Sequence, residues 1–496
     1  MAIALGGMIC LPIVSAQQVL STYVDEFPVP TVDSAPLALT VDAVGRVWFT
    51  ESNVSKLAVF DPVNQAFGEY RVPWVGDMWG VVADDRGYVW FTQYSGKGSV
   101  NPGGTILTGG TGRIVRFDIE TKNFMSIPVP TNGSFPMRLT LDTQGRIWFT
   151  EFLGNKIGTY DPLSKQLQEF SIPTNSSGAT DLIFDNNGNL WFSESYARQL
   201  GKFSSRNESF TEYRLGAATA SQIVSSPVGL ALDHYGNVWV ADHGGNWIVQ
   251  FDPKTGAMVK FPTHFPPREV YPISLVNDLL VDHSGRVWFA EHGGNSVGYY
   301  MPEERRMVEF PIPTGPLSTI LWLALAPNGD VWFTEWSGNK IGVVHSNLPV
   351  PPSVFTPISS LTLNEGQEMV IPVQVKILHD MFGNGTLRYA WGSYNPRDIS
   401  GTISPQYLTL TGSSEVSAEA RLTVSATTEP GNYTLALGIE TGSFNVWTMV
   451  SVRVVRANVT NRVLLQEVAG LGVGLVLILS IYVLLRRKRP DRIHRP

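Results

Sequence analysis

Asp142-Thr143-Gln144-Gly145-Arg146-Ile147-Trp148-Phe149-Thr150-Glu151 is the stretch that decides the fold, because it recurs with small changes seven times. Its Asp-x-x-Gly start is a tight-turn signal, and the alternating Ile-Trp-Phe-Thr that follows reads as a half-buried strand. The copies are GRVWFTE (45–51), GYVWFTQ (87–93), GRIWFTE (145–151), GNLWFSE (188–194), GNVWVAD (236–242), GRVWFAE (285–291) and GDVWFTE (329–335). Their tryptophans, Trp48, Trp90, Trp148, Trp191, Trp239, Trp288 and Trp332, are spaced by 42, 58, 43, 48, 49 and 44 residues. That is the period of a four-stranded blade in a radially repeated β-sheet.

Working outward from the Trp strand, each unit reads alike. An apolar first strand such as Leu37–Val41 precedes it, a third such as Lys156–Tyr160 ends in Asp161-Pro162, and a fourth ends in a phrase like Glu169-Phe170-Ser171-Ile172-Pro173. No fourth-strand phrase follows the seventh Trp strand, but one copy, Glu26-Phe27-Pro28-Val29-Pro30, precedes the first. The N-terminal segment therefore supplies the outer strand of the last blade and closes the ring without a long open edge. The long 58-residue spacing marks an inserted loop, Tyr94 to Gly112, rich in Gly and Ser.

Composition agrees. Only 16% of the 496 residues are charged, while Gly (47), Pro (33) and aromatic residues (11%) are plentiful, which excludes a disordered chain or a coiled coil. The net charge is −7, and six of the 36 basic residues lie in the last eleven positions; without that tail 30 basic residues face 42 acidic ones, so nothing favours a nucleic-acid partner.

The fold class expected is all-β: a seven-bladed β-propeller over 20–348, an immunoglobulin-like β-sandwich over 353–458 and a single C-terminal transmembrane helix at 466–485. The sandwich is read from alternating segments such as 361–377 and 446–455, and from the corner Pro430-Gly431-Asn432-Tyr433. The apolar run Val468–Leu485 carries no charge and would span about 27 Å as a helix. The basic tail 486–496 behind it sets a cytoplasmic C-terminus and places the rest outside the cell. Residues 1–16 read as a signal peptide ending in Val14-Ser15-Ala16, which would remove the only cysteine, Cys10. Seven Asn-x-Ser/Thr sequons fall on the extracellular side.

Every Trp strand ends in a polar residue: Glu51, Gln93, Glu151, Glu194, Asp242, Glu291 and Glu335. These are expected at one mouth of the central channel, with the residues fourteen positions upstream. Lysines follow five residues after Glu51, Glu151 and Glu335, and this suits ion pairs that lace the second strand to the third. Blades five and six differ, carrying Asp242-His243-Gly244-Gly245-Asn246 and Glu291-His292-Gly293-Gly294-Asn295. Carboxylate, imidazole and amide oxygen from neighbouring blades suit a hard divalent ion, Mg²⁺ or Ca²⁺, with Glu291, Asp242, Glu335 and Asp278 as candidate ligands. The alternative is that both histidines merely cap turns. Trp79, Tyr94, Phe152, Trp322 and Trp336 are candidate contacts for a small molecule, glycan or peptide, or else wedges between blades.

The phrase Asp-x-x-Gly-x-[Val/Ile]-Trp-Phe-Thr-Glu followed by Gly-Asn-Lys-Ile-Gly, at Asp142–Gly158 and near it at Pro327–Gly342, resembles the virginiamycin B lyase (streptogramin lyase) family of seven-bladed propellers over about residues 30–345. Gluconolactonase-like propellers fit the phrase less well. The resemblance implies a Mg²⁺ held by glutamates, with Glu291 and Glu335 at the matching position, and elimination across an ester by a histidine base. That family's histidines start the first strand. Leu37, Trp79, Met137, Thr180, Val228, Asn277 and Leu321 stand there instead, so a lyase would have to use His292 or His243 as its base. Two functions are therefore expected as alternatives: a membrane-anchored extracellular binding module, or a divalent-metal-dependent lyase or hydrolase.

Overall fold

The computed structural model describes residues 23–97, 108–216, 224, 226–263, 274–315, 318–348, 350–377, 382–392 and 398–456. The expected signal peptide and membrane span lie outside them. Among the described residues no helix is long and apolar enough to cross a membrane.

Seven antiparallel four-stranded sheets stand in a ring, and the innermost strand of each touches that of the next, with Pro36–Val41 also against Ile320–Leu325 to close the circle. Blade three shows the pattern: Pro136–Leu141, Ile147–Glu151, Lys156–Asp161 and Gln166–Ser171 run from the axis outward. Blade seven consists of Ile320–Leu325, Val331–Glu335 and Lys340–Val344, with the N-terminal Val24–Pro28 as its outer strand. This is the closure that the displaced fourth-strand phrase requires.

The repeated phrase has a physical reason at each position. Asp142 Oδ1 accepts from the N–H groups of Gln144 and Arg146 and so folds the turn, and Gly145 takes the left-handed conformation it needs (φ 76°). Its Oδ2 accepts from the Trp148 indole at 2.9 Å. The same aspartate–indole bond recurs in blades one to six, on Asp42, Asp84, Asp142, Asp185, Asp233 and Asp282, at 2.8–3.1 Å. Each satisfies a buried donor with a charged acceptor, contributing about 1.5–3 kcal/mol. Blade seven has Ala326 there instead. Thr150 Oγ1 accepts from Arg138 N–H in its own blade and donates to the Thr180 carbonyl of the next, stitching neighbours together.

Beyond the propeller, the strands Ser353–Phe355, Glu368–Lys376, Glu415–Val424 and Ile399–Ser404 form one sheet. Ser360–Asn364, Asn445–Val455, Gly431–Glu440, Phe382–Trp391 and Tyr407–Thr411 form another, and the two share a core that includes Ile371, Leu422, Leu435 and Val452. Asn445–Val455 pairs antiparallel with Arg306–Pro311, the outer strand of blade six, so one nine-stranded sheet runs through both units. The fully buried Trp447 lies opposite Met307, and its indole donates to Glu309 Oε2 at 3.1 Å.

Candidate functional site: the channel mouth

First strands begin, and second strands end, on the same face of the ring, since Pro136 pairs with Glu151 and Pro227 with Asp242. The seven polar strand ends thus share a face, but they do not line the channel. Glu51, Gln93, Glu151, Glu194, Glu291 and Glu335 are 0% exposed and Asp242 is 1% exposed, each enclosed within its own blade. Burial pushes Glu51 up to about 7 and Glu151, Glu194 and Glu335 up to about 8, assisted by the neighbouring outer-strand carboxylates Glu69, Glu169, Glu212 and Glu26. The lysines follow a different path from the one expected. Lys56, Lys156 and Lys340 pair with Glu69, Glu169 and Glu26 of the fourth strand, at 2.6, 2.9 and 2.7 Å.

What fills the channel is set by a β-bulge. Between Pro136 and Leu139 the register slips by one, so the residues thirteen positions before the polar strand ends, not fourteen, stand at the bulge: Ala38, Gly80, Arg138, Asp181, Gly229, Asp278 and Trp322. Arg138 of blade three reaches across the axis. Its Nε lies 3.2 Å from Asp181 Oδ1 of blade four, its Nη2 donates to Asp278 of blade six, and its Cζ sits 4.2 Å from the Trp322 ring centroid of blade seven. Backbone N–H groups of Leu230 and Leu323 hold the remaining carboxylate oxygens at 2.8 and 2.9 Å. Burial and mutual repulsion raise the pKa of Asp181, and burial raises that of Asp278, despite the guanidinium; burial lowers that of Arg138, but the two carboxylates outweigh it. Four blades thereby share one buried ionic floor.

Above this floor one wall is aromatic. Trp79, Tyr94 and Phe152 gather around Phe135, with ring centroids 5.5, 4.9 and 6.0 Å away, and Phe152 meets Tyr196 at 5.0 Å. Tyr94 is itself 1% exposed; its ring lies so close to Gly96 and Gly110 that a Cβ on either would fall within 2.5 Å of it. It buttresses the wall, while Tyr196 is 60% exposed and Trp79 and Phe152 half-exposed. The other two expected aromatics are elsewhere: Trp322 is in the floor, and Trp336 packs on the core shared by blades seven, one and two.

On blades five and six, His243 and His292 stack with centroids 5.6 Å apart at 25°. Burial lowers the pKa of His243 and takes His292 down to about 4, the latter helped by His243, so both imidazoles are neutral at pH 7. The residue after each polar strand end (Ser52, Tyr94, Phe152, Ser195, His243, His292, Trp336) is the sequence position that marks this rim.

The expected metal ligands do not come together. Asp278 is held by Arg138 and Leu323, Asp242 accepts from Ser226 N–H at 2.9 Å, and Glu291 and Glu335 are enclosed in separate blades. The amide oxygens of Asn246 and Asn295 accept from Ser274 and Ser318 N–H groups at 2.6 and 3.0 Å, as stitches to the next blade. Among the described residues no three His, Cys, Asp or Glu side chains are placed to hold a metal ion. The expected ligands are therefore not assembled around a divalent-ion site among the described residues.

Residues 23–318 match the virginiamycin B lyase family. The chain belongs to that family. Solved structures place the same fold on it: a streptogramin B lyase (23% identity, TM-score 0.55, 65% of this chain and 96% of that one), and the selenomethionine-substituted virginiamycin B lyase of Staphylococcus aureus (22%, 0.54, 64% and 98%). A catalytically inactive variant of the latter, with quinupristin, is similar at 21% identity and TM-score 0.55, over 64% and 98%. At these identities the likeness to solved family members is one of fold. No curated protein sequence matches this one.

Proposed function

We propose that this family member is a membrane-anchored extracellular binding protein whose propeller mouth takes a small molecule, glycan or peptide. One observation carries the reading: Arg138, Asp181 and Asp278 close the axis across blades three, four and six, and the mouth above them is read as a cup with an aromatic cluster on blades two to four and two neutral imidazoles on blades five and six. Such a cup offers stacking area and a few oriented polar groups, as small-molecule sites require. In this reading the second unit is an immunoglobulin-like sandwich and 466–485 spans the membrane.

A second reading, elimination across an ester or lactone, is favoured by the His pair alone. A neutral imidazole can take up a proton, and His243 or His292 would be that base. Incubation of the purified chain with quinupristin, followed by calorimetry and mass analysis, separates the two. Binding that weakens at least about tenfold in Trp79→Ala, with no linear product, is expected. A linear product that disappears in His292→Ala would establish the lyase, and neither heat nor product would remove cyclic depsipeptides from the ligand classes of the cup.

A further inference from the structure

Four blades share a polar device at the rim, and blade two breaks it in an instructive way. In blades one, three and seven a third-strand lysine bonds both an outer-strand glutamate and a threonine of the preceding loop: Lys56 with Glu69 and Thr31, Lys156 with Glu169 and Thr131, Lys340 with Glu26 and Thr314. Blade four lacks the lysine, but Glu212 still accepts from Thr174. In blade two all the partners have changed at once: Arg113 takes the lysine place, Ser126 the glutamate place and Trp74 the threonine place, while the strand end is Gln93 rather than Glu. The acids have gone and the cation has stayed.

Arg113 is half-buried, with its Cζ 5.4 Å from the Trp74 ring centroid, and Gln93 Nε2 pins the Trp74 carbonyl at 2.9 Å. Among the described residues its guanidinium has no ion pair and no hydrogen bond. Burial draws its pKa down and no carboxylate opposes the shift. Its donors reach solvent and are committed to no described residue, so they are open to an arriving acceptor.

We propose that Arg113, seated on Trp74, is a carboxylate-binding subsite at the rim, in which an external carboxylate takes the place that Ser126 has vacated. A guanidinium matches the two oxygens of a carboxylate in a paired geometry, and three other blades satisfy the equivalent cation with a carboxylate of their own chain. The inference deepens the binding-cup reading by giving one ligand group a charge, and it fails separately from that reading.

The test is calorimetric titration of the purified chain with benzoate and, separately, inorganic phosphate. Wild type should bind benzoate at one site; Arg113→Gln should weaken it at least about tenfold, a charged hydrogen bond's worth, and Arg113→Lys by less. Ser126→Glu, which rebuilds the internal pair, should abolish binding and raise the melting temperature. Benzoate binding unchanged in Arg113→Gln or Ser126→Glu overturns the subsite, as does a wild type that takes phosphate and not benzoate. Binding lost in Trp79→Ala but kept in Arg113→Gln would move the carboxylate to the aromatic wall and overturn it too.

Discussion

Blades three and six carry the same Trp phrase and yet are held together differently. Blade three is self-sufficient: Lys156 neutralises Glu169 beside the buried Glu151, and Thr150 ties it to blade four. Blade six has Ser296 for the lysine and Ala290 for the threonine. Its outer glutamate, Glu309, takes the Trp447 indole of the second unit, and Asn277 Nδ2 makes the inter-blade bond to the Leu321 carbonyl at 2.6 Å. The blade that gave up the common device gained a foreign strand and a histidine at the mouth. Repeats keep scaffold chemistry where it recurs and become available for something else where it is replaced.

The largest effect is expected of Trp447→Ala. It empties a fully buried indole and removes a donor from Glu309, so a loss of about 3–5 kcal/mol is expected from denaturant unfolding. A loss under about 1 kcal/mol would mean blade six stands alone. Lys156→Met in blade three should cost less, about 1–2 kcal/mol, because Glu169 retains its Thr131 bonds and some solvent.

The two regions should also respond to pH with opposite sign. Glu51, Glu151, Glu194 and Glu335 have pKa values raised in the fold to about 7–8, so their contribution is complete below the unfolded carboxyl range near 4.5 and is lost as pH rises through 7 to 8. His292, lowered to about 4, contributes above its unfolded value near 6.5 and loses that contribution as pH falls toward 4. Melting curves should therefore show Glu151→Gln flattening the alkaline limb and His292→Asn the acid limb, each leaving the other unchanged. Thr150→Ala should cost about 1 kcal/mol; the smallest effect is expected of Ala290→Thr, which should gain almost nothing, since Asn277 already holds the next blade.

Much of this was legible in the sequence. The Trp phrase fixed strand, turn and period together, and the displaced Glu26-Phe27-Pro28 phrase located the closure. The channel floor escaped by one residue. A bulge changes the count between paired strands by one, and only backbone register reveals it; the signal was three charges, Arg138, Asp181 and Asp278, at one shared position thirteen residues before a strand end. Pairing of Asn445–Val455 with blade six was invisible because edge addition is made by backbone groups, which every sequence possesses. The fate of the strand-end acids depends on depth in the blade, and alternation alone does not encode it.

Glu51, Glu151, Glu194 and Glu335 act as scaffold, their carboxyl pKa values raised by burial inside their blades, rather than as part of a metal-binding ring at the mouth. Infrared titration of the chain with isotope-labelled glutamate, with and without millimolar Mg²⁺, addresses this directly. Protonated carboxyl bands should persist at neutral pH and disappear as pH passes about 7–8, whether or not Mg²⁺ is present. Glutamates fully ionised by pH 6, or ionised on adding Mg²⁺, would contradict it.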